Sequence, residues 1–202
     1  ALALGAAAAP SAHAAQENRI TEQYMVHQSG EVSWSAIITD YKQELTQEQC
    51  GEVGTNAQTV FSTSTEASVS FTQSSGSGAS NRCTANLRVE LGKTLLTQSA
   101  GTTKTLTLKT AIPDSVMTAL GATTRSISAT VFDAGIVEGS DSPEIEHDSE
   151  GNGWETAEWK KVSGDPSITY DSALGNRNGR AGSSPTPSAS ASPSANAAGQ
   201  GS

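Results

Sequence analysis

Two cysteines, Cys50 and Cys83, are the residues in this chain most able to form a covalent bond. Thiols cross-link, bind metals or exchange electrons, and sequence spacing separates these uses. Redox exchange favours C-x-x-C, which is absent. A metal site needs more ligands, and the three histidines (His13, His27 and His147) have no Cys- or His-spaced companions. The N-terminal pattern described below points to export, and an exported pair of cysteines is expected to form a structural disulfide. In the chain-entropy account the closed loop contributes about 3.5–4 kcal/mol.

A second chemically suggestive stretch, residues 133–158, carries nine carboxylates and no Lys or Arg. Within it, Asp148-Ser149-Glu150-Gly151-Asn152-Gly153 resembles the first half of a calcium loop, with oxygen ligands at alternate positions and glycine at the sixth. The twelfth position should hold a bidentate carboxylate, but it is Trp159; Glu158 stands one residue early. The expected structure is an Asn152-Gly153 hairpin turn, and no metal site is assigned. Hydrolysis needs a nucleophile with a base and an orienting group, or paired carboxylates in a cleft. No G-x-S-x-G is present, and His27 and His147 read as exposed strand or loop residues. No catalytic residue and no cofactor are expected, so the chain reads as a non-enzyme.

These groups must be positioned by a fold of modest helical content. Residues 82–91 alternate Cys83, Ala85, Leu87, Val89 and Leu91 with Thr84, Asn86, Arg88 and Glu90, the pattern of a strand with one buried and one wet face. Ile20, Glu22, Tyr24 and Val26 suggest a first strand, and Gln28-Ser29-Gly30 a turn. Val32, Trp34, Ala36 and Ile38 line a second strand, giving a hairpin. Thr46 and Gln49 fit a capping box for a helix that Gly51 and Gly54 should keep short, with residues 55–65 irregular. Val69 and Phe71 mark a third strand, and Leu106 with Leu108 another; Leu95-Leu96 reads as a bend. Pro113, Asp114 and Gly121 bracket a second helix, on which Ile112, Val116, Met117 and Leu120 share one stripe. Residues 126–133 and 154–159 read as late strands, and 167–170 as a last short one. The expected class is α+β: an antiparallel β-sheet with two short helices, one disulfide and a disordered C-terminal tail.

Both ends lack core formers. Residues 1–15 resemble the remnant of a secretory signal peptide, with an apolar run followed by Ala12-His13-Ala14. Residues 17–174 are expected to be one extracytoplasmic domain. From residue 175 to 202 the chain is a Ser/Pro/Ala/Gly-rich linker that buries too little to fold. No wall or membrane tether is expected within this chain, which is either cut there or released. The net charge of −9 excludes a nucleic-acid partner, since phosphate neutralisation requires clustered Lys and Arg.

The order of elements resembles the LppM-like domain of actinobacterial cell-envelope proteins. The residues concerned are Ser29-Gly30-Glu31-Val32-Ser33-Trp34, the cysteine-bearing segment 43–52 and Arg82-Cys83-Thr84. Residues 126–137 and Gly151-Asn152-Gly153-Trp154 complete the pattern. The chain departs from that family at its N-terminus, which lacks a lipoprotein cysteine, and in lacking a membrane anchor. The resemblance implies a non-catalytic, secreted, surface-located domain binding an envelope lipid or lipoglycan, and no functional residue set carries over. Ile112, Val116, Met117 and Leu120 are the candidate ligand-binding residues, because their helix is the most easily displaced apolar cover. The alternative is a surface-displayed structural or interaction domain whose acidic face meets a basic protein partner.

Overall fold

Period-two alternation builds the larger of two sheets. The computed structural model describes residues 16–92, 94–148 and 153–175. Strands β1 (Arg19–Val26) and β2 (Glu31–Asp40) form the expected hairpin. Helix α1 (Gln47–Val60) leads to β3 (Ser68–Gln73) and β4 (Asn81–Glu90), a second hairpin. Then follow β5 (Leu96–Ala100), β6 (Thr103–Thr107) and helix α2 (Asp114–Ala119). Next come β7 (Arg125–Phe132), β8 (Gly135–Gly139) and β9 (Glu144–His147). The last strands are β10 (Trp154–Val162) and β11 (Ser167–Asp171), and a 3-10 turn spans Ser172–Leu174.

The fold is α+β, as expected, but it has two sheets. One has seven strands in the order β3-β4-β2-β1-β7-β10-β9, and the other has four in the order β5-β6-β11-β8. The pairing of β1 with β7 is parallel, joined through a long crossover that contains both helices. Leu96, read with Leu95 as a bend, opens β5, and the acidic stretch, read for a hairpin turn and the strand after it, also supplies β8 and β9. These strands escape a periodicity search because their faces are largely exposed and carry few apolar residues.

Helix α1 is longer than its glycines suggest. Thr46 caps it through the expected box: its hydroxyl accepts from the Gln49 amide at 3.2 Å, and the Gln49 side chain accepts from the Thr46 amide at 2.9 Å. Gly51 and Gly54 do not end it; it runs on to Val60, through residues read as irregular. At Gly54 a Cβ would stand 2.5 Å from Cγ2 of Val69. Close approach of helix to strand outweighs the roughly 1 kcal/mol helix-propensity cost of glycine. Cys50, Val53 and Ala57 are buried on the same side.

The inner face of the seven-stranded sheet is covered except at its two edge strands, where Val69 and Ile145 stay exposed. Helix α1 lies over β3 and β4, with α2 beside it. Leu106, Leu108, Ile168 and Tyr170 of the smaller sheet and its flank join Tyr24, Trp34, Ile127 and Trp159 in one core. The outer face is bare among the described residues, its side chains half-buried or exposed. The fold extends through Gly175, where a Cβ would lie 2.0 Å from the Asp133 carbonyl oxygen. A chain ending at Gly175 is therefore expected to melt at the temperature of the full chain. A clear loss in thermal unfolding would show instead that residues 176–202 contribute to stability.

Candidate functional site

The cysteines meet as expected: Cys50 and Cys83 form a disulfide with Cα atoms 5.6 Å apart. It ties α1 to the first, turn-proximal residues of β4, and both cysteines are buried.

A second device, which the sequence did not betray, lies deeper. Glu22 shares a face with Ile20 and Tyr24, and its side chain is completely buried. Arg125 on β7 donates from Nε to Glu22 Oε2 at 2.5 Å. Trp34 Nε1 and the Ala111 amide donate to Oε1 at 3.1 and 2.9 Å. Arg125 also reaches Asp165 at 3.1 Å, and that carboxylate accepts from the Thr110 amide at 3.0 Å. The Tyr24 hydroxyl donates to the Lys109 carbonyl. Together these bonds hold the segment leading into α2 against the large sheet. Burial pushes the Glu22 carboxyl above its ordinary value, against the opposing pull of Arg125 and the N–H donors. Burial, and secondarily the Glu22 charge, raise the Tyr24 hydroxyl well above its own. Glu22 and Arg125 are sealed in the core while Asp165 stands at the exposed rim, an arrangement that serves the fold.

The candidate stripe on the second helix is part of that fold. Ile112, Val116 and Leu120 are buried in the common core, and Met117 packs against it from the rim. The helix proper begins only at Asp114, so Ile112 belongs to the clamped segment before it. A ligand entering here would have to lift α2 away from the residues it covers.

The open face offers a different geometry. Registers place Met25, Ser33 and Arg88 in one row across β1, β2 and β4, and Gln23, Ser35, Asn86 and Ser68 in the next. These rows border a groove of about 450 Å³, walled in part by Met25, Ser33, Ser35, Asn86 and Arg88. Ser35 donates to Gln23 at 3.3 Å, and His27 Nε2 lies 3.1 Å from the Ser33 hydroxyl. The His27 ring stacks on Phe132 with centroids 5.4 Å apart. Met25 is 39% exposed. An exposed, adaptable apolar side chain stands among hydroxyls, an amide and a guanidinium. In the sequence these residues appear only as the wet half of three strands.

The acidic stretch is not one surface. Glu155 is buried, accepts from the Ile136 amide at 2.6 Å and lies 3.1 Å from His147 Nδ1. Asp148 is buried as well. Glu144 and Glu158 stand opposite one another on β9 and β10, with Lys160 2.7 Å from Glu144. Strands β9 and β10 flank the expected turn, while residues 149–152 of the calcium-like stretch lie outside the described residues. Among the described residues no group of three or more His, Cys, Asp or Glu is arranged to hold a metal ion.

No protein-family model matches the chain, and no curated protein matches it. Among solved structures, its fold is similar to the NMR structure of the folded domain of LppM from Mycobacterium tuberculosis. The two share 14% identity over 78% of this chain and 91% of that one, with a TM-score of 0.37. The likeness falls on the family that the sequence motifs resemble, and it assigns no residue.

Proposed function

We propose that this chain is a non-catalytic, extracytoplasmic binding module of the cell envelope, whose ligand is a lipid or lipoglycan held on the open face of the seven-stranded sheet. The observation that carries this reading is the groove around Met25, the described hollow that joins an exposed apolar side chain to hydroxyl, amide and guanidinium groups. Methionine adapts to irregular apolar ligands. Ser33, Ser35 and Asn86 suit sugar hydroxyls, and Arg88 suits an anionic headgroup. Export is supported by the disulfide, which persists in oxidising compartments, and by the signal-like residues 1–15.

Of the three tryptophans, Trp34 and Trp159 are buried, whereas Trp154 is half-buried on the outer face. Titration with envelope lipid or lipoglycan extract is expected to give a saturable change in tryptophan emission that survives high salt, because apolar burial dominates. Met25→Asp should abolish it while leaving the melting temperature unchanged. Absence of any saturable change, or the same response from Met25→Asp, counts against the groove. The acidic alternative rests on the facing carboxylates Glu144 and Glu158. It requires a basic protein partner and binding that salt removes.

A further inference from the structure

The large sheet ends in two edges of opposite character. At one end, β9 carries Glu144 and Glu146 on four exposed residues, and self-pairing there would bring like charges together. At the other end, β3 reads Ser-Val-Ser-Phe-Thr-Gln, without a charge or a proline. It pairs with β4 in unbroken register and has no bulge to turn it away. Val69 is 38% exposed. Natural sheets guard such edges with charge, proline, bulges or covering segments. Charge guards the β9 edge, whereas none of these devices occurs along β3 itself.

We propose that β3 is a self-association edge, on which a second copy of this chain adds its own β3 antiparallel. The strand is self-complementary about Ser70. A two-fold axis there pairs Ser70 with its counterpart and Ser68 with the partner's Thr72. On the helix-covered side, Val69 pairs with the partner's Phe71, twice by symmetry. Apolar cross-strand pairs of this kind stabilise an antiparallel ladder, and the symmetry is that of an isologous dimer.

Charge agrees with this register. Arg82 lies beside Thr72 on the outer face, and Glu66 precedes Ser68 by one pleat repeat; both are exposed. The pairing sets Glu66 of one copy and the partner's Arg82 on the same face, diagonally and two strand spacings (roughly 10 Å) apart, a long-range attraction that recurs on the other side of the axis. The product is a continuous fourteen-stranded sheet, twice the seven strands of one copy. Both of its ends are β9 edges guarded by carboxylates, so growth stops at two.

Sedimentation analysis of the oxidised full chain tests the inference. The mass is expected to rise from one chain to two between low micromolar and near-millimolar concentration, and no further. Ser70→Glu and Ser70→Lys each set like charges face to face on the axis and should weaken association roughly tenfold or more, with unchanged circular dichroism and melting. An equimolar mixture of the two variants should associate again, as opposite charges meet. A wild-type chain that stays monomeric throughout overturns the proposal and leaves the edge to a strand of another protein. Association equally strong in both Ser70 variants also overturns it.

Discussion

Arg125→Met is expected to destabilise the fold by about 3–5 kcal/mol near neutral pH, because it strands a buried carboxylate. Glu22 has no solvent exposure. In the native chain, Arg125, Trp34 and the Ala111 amide donate to its two oxygens. Removing the guanidinium leaves desolvation opposed only by neutral donors, and it cuts the link to Asp165. The loss should therefore depend on pH. Burial already lifts the Glu22 carboxyl above its ordinary 4.5, and loss of Arg125 lifts it further. A carboxyl raised by folding contributes its full stability below the unfolded value and loses it as pH rises through the folded value. The deficit of Arg125→Met relative to wild type should accordingly be largest above neutrality and shrink as pH falls toward 4.5. Glu22→Leu combined with Arg125→Met should recover much of the loss, since an apolar pair replaces the ionic one. Urea unfolding across pH measures all three; a deficit that does not vary with pH would show that Glu22 does not bear the cost.

Opening the disulfide should cost a similar amount. Cys50 and Cys83 are 33 residues apart, and a loop of that size implies about 4 kcal/mol in the chain-entropy account. For a domain of this length that corresponds to a fall of roughly 10 °C in melting temperature. The loss should appear first at α1, where Gly51 and Gly54 make the helix a poor one by propensity and the bond fixes it to β4. Reductant, or Cys50→Ala with Cys83→Ala, should expose the α1 amides to hydrogen exchange before those of β1 and β2. Equal protection of α1 with and without the bond would contradict this order.

Much of the framework was legible in the residues. Alternation through Cys83, Ala85, Leu87 and Val89 located β4, which lies next to the edge of the sheet and not at its centre, and the Thr46–Gln49 box located the start of α1. What escaped was tertiary in origin. Glu22 falls within an apolar alternation, but its partner Arg125 lies 103 residues away, and no local pattern announces a buried ion pair. Gly54 reads as a helix breaker until β3 is seen to pack against it. The groove around Met25 is assembled from the polar half of three strands, and only their register turns Ser33, Asn86 and Arg88 into neighbours. The second-helix stripe was read correctly as apolar; the structure gives three of its four residues to the core.

The most direct measurement is backbone amide NMR of the oxidised chain, titrated with envelope lipoglycan at low and high salt. Saturable shifts at Met25, Ser33, Ser35, Asn86 and Arg88 that persist at high salt are predicted, with α2 unperturbed. Shifts centred on Val116, Met117 and Leu120 would move the ligand beneath α2. Shifts confined to β9 and abolished by salt, or no shifts at any concentration, would contradict an amphiphile-binding module on the open sheet face.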